Sequence, residues 1–403
     1  MSFRKTGDKV RAEKGKINGK VILYAALLLC VALIDLIAWK SNAFCDFYIT
    51  YIFPIWINTY GRFTGLFPFS VGEWLIVAGV CLVLATLVFA AIEGIRRICG
   101  KRNMTRVARV YFKAFAWILL GVLLIMTLNC TILYHASTFS QKYYGEDTDD
   151  YTLEETIAVW NLVAERCNEL SALVARDENG DILYPGSTST GADIVDMQDK
   201  AIECMQKLGE QYPQLDGFYP RPKAMFFSDF MCQQYMQGWY FPFTLEANYN
   251  DVMYIMNKPS TMCHELAHLR GYIYEDEANF ISYLACIRSD DIYFQYSGYL
   301  SVMSYLYNDL LKAKQSNPEA FEEARAVIAP VALDRQVFTD DRFVTQEEWD
   351  RINRKALLDT KVVGEATDVF LETNLKANGV SDGRISYSRV VRLLLQYYRA
   401  EKI

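Results

Sequence analysis

Three stretches of this chain are too long and too apolar to be left in water: residues 21–39, 74–92 and 114–134. Each is long enough to cross a hydrocarbon layer of about 30 Å as a helix rising about 1.5 Å per residue. Inside lipid every backbone N–H and C=O has to be satisfied within the segment, so helices are the expected form of all three. The chain of 403 residues is 52% hydrophobic and 14% aromatic, a surplus that such segments account for. Only Asp35 interrupts the first run, near its far end where a carboxylate stays wetted. No small-residue cleavage site follows, so the run reads as an uncleaved anchor.

Charge orders the runs across the membrane. Residues 1–20 carry Arg4, Lys5, Lys9, Arg11, Lys14, Lys16 and Lys20 against Asp8 and Glu13. After the second run, residues 96–113 carry Arg96, Arg97, Lys101, Arg102, Arg106, Arg109 and Lys113 with no acid among them, whereas 41–69 has the single basic residue Arg62. Basic residues collect on the cytoplasmic side, so the N-terminal tail and the middle loop are expected there, and 135–403 outside the cytoplasm. Topology explains these charges, and no nucleic-acid role is called for. Segment 41–69 is rich in Tyr, Phe, Trp and Ile and broken by Pro54 and Pro68, which suits an interfacial or partly re-entrant loop in contact with membrane lipid. Ser70-Val71-Gly72-Glu73 then reads as a capping box opening the second run.

The remainder has helical spacing at 151–176, 192–211, 293–311, 319–329 and 387–399. Acidic residues Glu146, Asp147, Asp149 and Asp150 precede it, and a polar loop runs through Pro185 to Ser189. Residues 224–227 and 238–250 have the aromatic and turn content of short strands. The turn at 378–383 looks like a calcium loop, but Val380 and Arg389 stand where ligands are needed. Ten cysteines show no framework spacing, which favours buried free thiols.

One stretch carries chemistry. The chain has three histidines, and two of them, His264 and His268, are separated by one helical turn with Glu265 beside the first. At i and i+4 both imidazoles reach a single metal ion, and the intervening Glu is placed to take a proton from water at that ion. Zinc is the ion that this pattern points to, with Glu265 as general base. Ser260 or Thr261 is expected to cap this helix after Pro259, and Gly271 to stop it. A second helix is expected from about Glu275 to Arg288. There Glu275, Ala278, Asn279, Ser282 and Cys286 share a small, polar face suited to packing on the first, while Glu277 shares its side with Phe280, Ile281 and Leu284. Glu275 is thus the better third ligand, Glu277 the fallback, and Asn279 a partner orienting a histidine. For an oxyanion donor, Tyr296 and Tyr299 are the candidates, two among 27 tyrosines. Cys263 points about 100° from His264 and is set aside as a ligand.

His264 to His268 followed by Glu275-x-x-Ala278-Asn279 resembles the gluzincin group of metallopeptidases, in which such a second helix supplies the third ligand. Tyr240 to Thr244 with Glu246-Ala247-Asn248 upstream, and Tyr296 to Leu300 downstream, resemble an uncharacterised family of bacterial three-span membrane proteins. A metzincin reading fails, because Tyr274 stands where its third histidine belongs. The resemblance implies a zincin-like fold with a small sheet beside the His helix, and 238–248 as the strand that holds substrate.

The expectation is a mainly α membrane protein: a basic tail (1–20), a membrane region (21–134) with three transmembrane helices, and a mostly helical, zincin-like α+β extracytoplasmic domain (135–403). Its function would be zinc-dependent hydrolysis of peptide or protein substrates. The alternative is a zinc-binding sensor or binding protein on the same fold without turnover.

Overall fold

The computed structural model describes residues 19–145, 150–185, 192–378 and 387–402. Most of the basic tail, three of the four acidic residues before 151, the loop after Pro185 and the core of the calcium-like turn lie outside the described residues. The chain is mainly helical, and among the described residues three helices are long and apolar enough to cross a membrane: Gly19–Lys40, Val71–Ile98 and Arg106–Tyr134. All three run past the apolar limits, into the charged or polar residues that flank them.

Segment 42–65 departs from the expected broken loop. It is an almost continuous helix containing two wide π turns, Tyr48–Ile52 and Ile57–Gly61. Pro54 would ordinarily clash with the carbonyl one turn back and leave that carbonyl without its N–H. Here it enters at the start of a new α-helical piece, directly after the first wide turn, and the chain continues past it. One face, with Cys45, Tyr48, Ile49, Phe53 and Ile57, joins the main core. The opposite face leaves Phe47, Tyr51, Ile55, Tyr60 and Phe63 exposed. A helix apolar on both faces needs an apolar medium on the second side.

The C-terminal portion wraps helices around three short strands, β1 (Lys223–Ala224), β2 (Gly238–Phe241) and β3 (Glu246–Tyr249). The order is β1-β3-β2, with β3 parallel to β1 and antiparallel to β2. The expected strand at 238–248 is therefore a hairpin, and only its first arm is an edge. β3 is buried at all four positions. Against this sheet lies the helix Lys258–His268, which continues through a turn into Glu275–Ile287 and then Ile292–Ser316. All ten cysteines are free thiols, seven of them buried.

The sheet is fastened to the N-terminal end of the second apolar helix by a buried ion pair. Glu246 on β3 accepts from the backbone of Val71 (3.1 Å) and Gly72 (2.7 Å), from Thr244 Oγ1 (2.6 Å) and from Lys223 Nζ on β1 (2.5 Å). Lys223 also donates to the carbonyls of Thr64 and Phe69, so its ammonium is fully engaged. The first amides of a helix have no partner of their own and favour a negative charge, which a carboxylate from distant sequence supplies here. The capping box is half formed. Ser70 Oγ accepts from Glu73 N at 3.2 Å, but the Glu73 carboxylate turns outward to the amides of Phe226 and Phe227. The third apolar helix is tied in by Asn129 Nδ2, which donates to the Pro242 carbonyl at 2.7 Å.

Glu246→Ala strands a buried ammonium and two helix amides. It should cost about 3–5 kcal/mol of stability, measured by unfolding in detergent micelles, whereas Lys223→Met with Glu246→Gln should recover most of that loss. A cost for Glu246→Ala below ~1 kcal/mol would show that the pair does not fasten the sheet.

Candidate metal centre

The His helix begins earlier than its sequence suggests. It starts at Lys258 with Pro259 in the first turn, where a missing N–H costs nothing. Ser260 and Thr261 lie inside it. The Ser260 amide is satisfied by Ser297 Oγ (3.1 Å), from the helix that packs behind. The stop is at Gly271, whose φ of +88° is left-handed backbone that glycine adopts freely. A Cβ there would also lie 2.7 Å from Ile49 Cγ2 on the 42–65 helix, so the position excludes side chains for two reasons.

His264 and His268 face one another with ring centroids 4.7 Å apart and planes near perpendicular. Each is oriented through Nδ1. His264 Nδ1 lies 2.9 Å from Asn279 Oδ1, and Asn279 Nδ2 in turn donates to the Tyr305 hydroxyl. His268 Nδ1 lies 2.7 Å from the Tyr272 carbonyl, in the turn between the two helices. With both Nδ1 atoms so engaged, both Nε2 atoms are left to face Glu275, at 3.0 Å from His264 and 4.0 Å from His268. Ligand atoms of His264, His268 and Glu275 all lie within 4.8 Å of one another.

Of the two acids left open by the sequence, Glu275 reaches the imidazoles and Glu277 does not. Both Glu277 oxygens are taken by Ser140, from its amide (3.1 Å) and its hydroxyl (2.6 Å). Burial pushes the Glu277 carboxyl up to about 7, against those two bonds. Tyr296 and Tyr299 are also elsewhere. Tyr296 is fully buried and donates to Asp340 in a network with Arg176 and Ser171, and Tyr299 packs on Tyr283 beside Arg166. Tyr240 and Tyr305, neither of them an oxyanion candidate from the sequence, adjoin the centre instead. The Tyr240 ring of β2 packs against His268 with centroids 5.8 Å apart and planes tilted by 46°, and the Tyr305 hydroxyl accepts from Asn279.

Glu265 points from the same helix toward β2. It is 4% exposed, and its Oε2 has no hydrogen-bond partner. A Cβ on Gly238 would lie 2.3 Å from Glu265 Oε1, so the edge strand approaches this carboxylate as closely as glycine permits. A glycine just ahead of an aromatic strand was the one sequence sign of that approach.

The electrostatics follow from burial and pairing. Burial opposes charge on His264, but the bond to Glu275 and its charge lift the imidazole to about 9. Burial also works against the Glu275 carboxylate, yet His264 holds it down at about 2. The Glu275 side chain is 57% exposed, so the centre is open to solvent on the side of this carboxylate. His268 is lowered to about 4 by burial and by the neighbouring His264 charge. Burial raises Glu265 to about 8, against the attraction of His264. Two imidazoles oriented through Nδ1, a carboxylate between their Nε2 atoms and an unpartnered carboxylate beside them fit a divalent cation of the zinc type.

A family described as a protein of unknown function, DUF3810, matches residues 48–395. The chain belongs to the DUF3810 family. No curated protein and no solved structure matches it. The match in this DUF3810 chain takes in the His helix, the acid helix, the sheet and most of the membrane helices.

In chelator-treated protein the raised His264 stabilises the fold in full below its unfolded pKa of about 6.5, and that contribution is lost as pH rises through about 9. The lowered Glu275 contributes above about 4.5 and is lost as pH falls through about 2. The imidazole ¹⁵N resonances of selectively labelled protein should therefore show His264 protonated and His268 neutral at pH 7. Two imidazoles titrating together near 6.5 would contradict the pairing.

Proposed function

We propose that this chain is a membrane-anchored, zinc-dependent peptidase of gluzincin type, with its hydrolytic domain outside the cytoplasm. The observation that carries the reading is the convergence of His264, His268 and Glu275 beside an unpartnered, buried Glu265. The gluzincin likeness rests on that motif and geometry. The orientation rests on the basic residues around the middle loop and the N-terminal tail.

His264 Nε2, His268 Nε2 and a Glu275 oxygen would hold the ion. When bound, zinc supplies Lewis acidity that polarises a carbonyl and makes water easier to deprotonate. The remaining work belongs to side chains of the chain. Asn279 and the Tyr272 carbonyl fix the imidazoles so that Nε2 and not Nδ1 faces the centre. In its ionised form Glu265, whose Oε2 is free of other bonds, would accept a proton from water, and the neutral form that burial favours would then return that proton to the leaving amine. β2 is an edge strand, and an extended peptide laid along it would exchange backbone hydrogen bonds with it in front of Glu265.

β2 also fixes how far the centre stands from the membrane helices. It starts against Glu265 at Gly238 and ends at Phe241, whose ring would lie 2.3 Å from a Cβ on Gly72 at the head of the second apolar helix. Three strand steps of about 3.3 Å make that interval ~10 Å. A peptide on β2 would therefore be cut close to the bilayer surface.

Purified full-length protein reconstituted with zinc should bind one ion per chain, and His264→Ala or Glu275→Ala should abolish binding. Glu277→Gln should keep it. Glu265→Gln should keep the ion while peptide hydrolysis falls by more than about a hundredfold. Zinc bound but hydrolysis unchanged in Glu265→Gln would remove the peptidase mechanism, and no zinc in the wild type would remove the metal reading.

A further inference from the structure

We propose that the turn carrying Phe226, Phe227 and Phe230, within the C-terminal portion, is inserted in the bilayer leaflet that the second apolar helix enters at Val71. It forms a further point of membrane contact beside the three apolar helices and the exposed apolar face of the 42–65 helix. The inference is independent of the metal centre and rests on five observations.

The turn joins β1 to the short helix Ser228–Gln233 and is unusually apolar at its surface. Phe226 is 76% exposed, Phe227 41% and Phe230 47%. Three exposed phenylalanines within five residues are too costly to be left in water without a covering phase. Continuity with the membrane helices says what covers them. The rings of Phe226 and Phe227 lie 6.4 and 6.5 Å from the ring of Trp74, an exposed residue in the first turn of the second apolar helix. That helix has the length and apolar surface to be in lipid, so Trp74 and the rings touching it share one surface.

The turn is also held there. The Glu73 carboxylate accepts from the amides of Phe226 (2.9 Å) and Phe227 (2.6 Å) and is itself 4% exposed. One residue of the membrane helix thus fixes the backbone of the turn and leaves its rings facing out. Nor does charge oppose insertion. The one acid in the stretch, Asp229, is bonded by both oxygens to Arg351 (2.7 and 2.5 Å). On the other side of Trp74, Leu66 and Phe69 are likewise exposed and lead back to the outer face of the 42–65 helix. Aromatic side chains at the mouth of a membrane helix favour the headgroup and upper acyl layer.

The test uses the full chain in phosphatidylcholine vesicles containing a trace of phosphatidylcholine with a mid-acyl diazirine. After irradiation, adducts are mapped by mass spectrometry of the peptides. The expected result is acyl-chain adducts on residues 226–230 as well as on residues 66–98. In Phe226→Ser/Phe227→Ser/Phe230→Ser the adducts on 226–230 should be lost while those on 66–98 persist. Labelling of 66–98 without any on 226–230 in the wild type would overturn the proposal. So would a crosslink joining 226–230 of two copies, which would make the patch a self-association surface.

Discussion

The buried pair of Lys223 and Glu246 is the joint on which this structure depends. It links two neighbouring strands, caps the second apolar helix and, through Lys223, holds the carbonyls that lead into that helix. A buried ion pair is weak evidence for net stability, since desolvation consumes much of the attraction. Its specificity is a different matter. Among the described residues neither charge has another buried partner of opposite sign, so a sheet shifted by one residue, or a helix entering elsewhere, would bury an unpaired charge. The pair therefore fixes the sheet relative to the membrane helices, and β2 carries that registration onward to Glu265.

From this joint the candidate centre is built by short links. β2 bridges the second apolar helix and Glu265, Gly238 lets the strand come near, and Tyr240 lies over His268. The acid helix contributes Glu275 at its first residue and Asn279 one turn later, so a single helix face supplies both a ligand candidate and the group that orients His264. The centre gathers two imidazoles and two carboxylates at small separations, which pushes their pKa values in opposite directions. Such divergence is expected where charges are placed for coordination or proton transfer.

What the sequence disclosed was local. The histidine spacing, the glycine stop and the face shared by Glu275 and Asn279 all lie within about four turns of helix, where 3.6-residue geometry is reliable. The preference for Glu275 over Glu277 came from that geometry. Its counterpart, the seating of Glu277 on Ser140, spans 137 residues and left no local trace. Long-range choices were equally hidden. Glu246 caps a helix 174 residues earlier, and Glu73, placed as a capping-box residue, instead grips a turn more than 150 residues away. Pro54 was misleading because a wide turn ahead of it removes the usual conflict. Tyr296 and Tyr299 were drawn from many equivalent tyrosines, and their hydroxyl partners are set by helix packing that periodicity does not resolve.

In the proposed zinc site two imidazoles and a carboxylate oxygen, without sulfur, would hold the ion. Zinc K-edge X-ray absorption on the purified full chain reads those ligands directly. The expected spectrum shows two histidine nitrogens and oxygen donors, all at about 2.0–2.2 Å. A sulfur scatterer at about 2.3 Å, which would bring in Cys263, or a spectrum lacking the histidine signature, would contradict it.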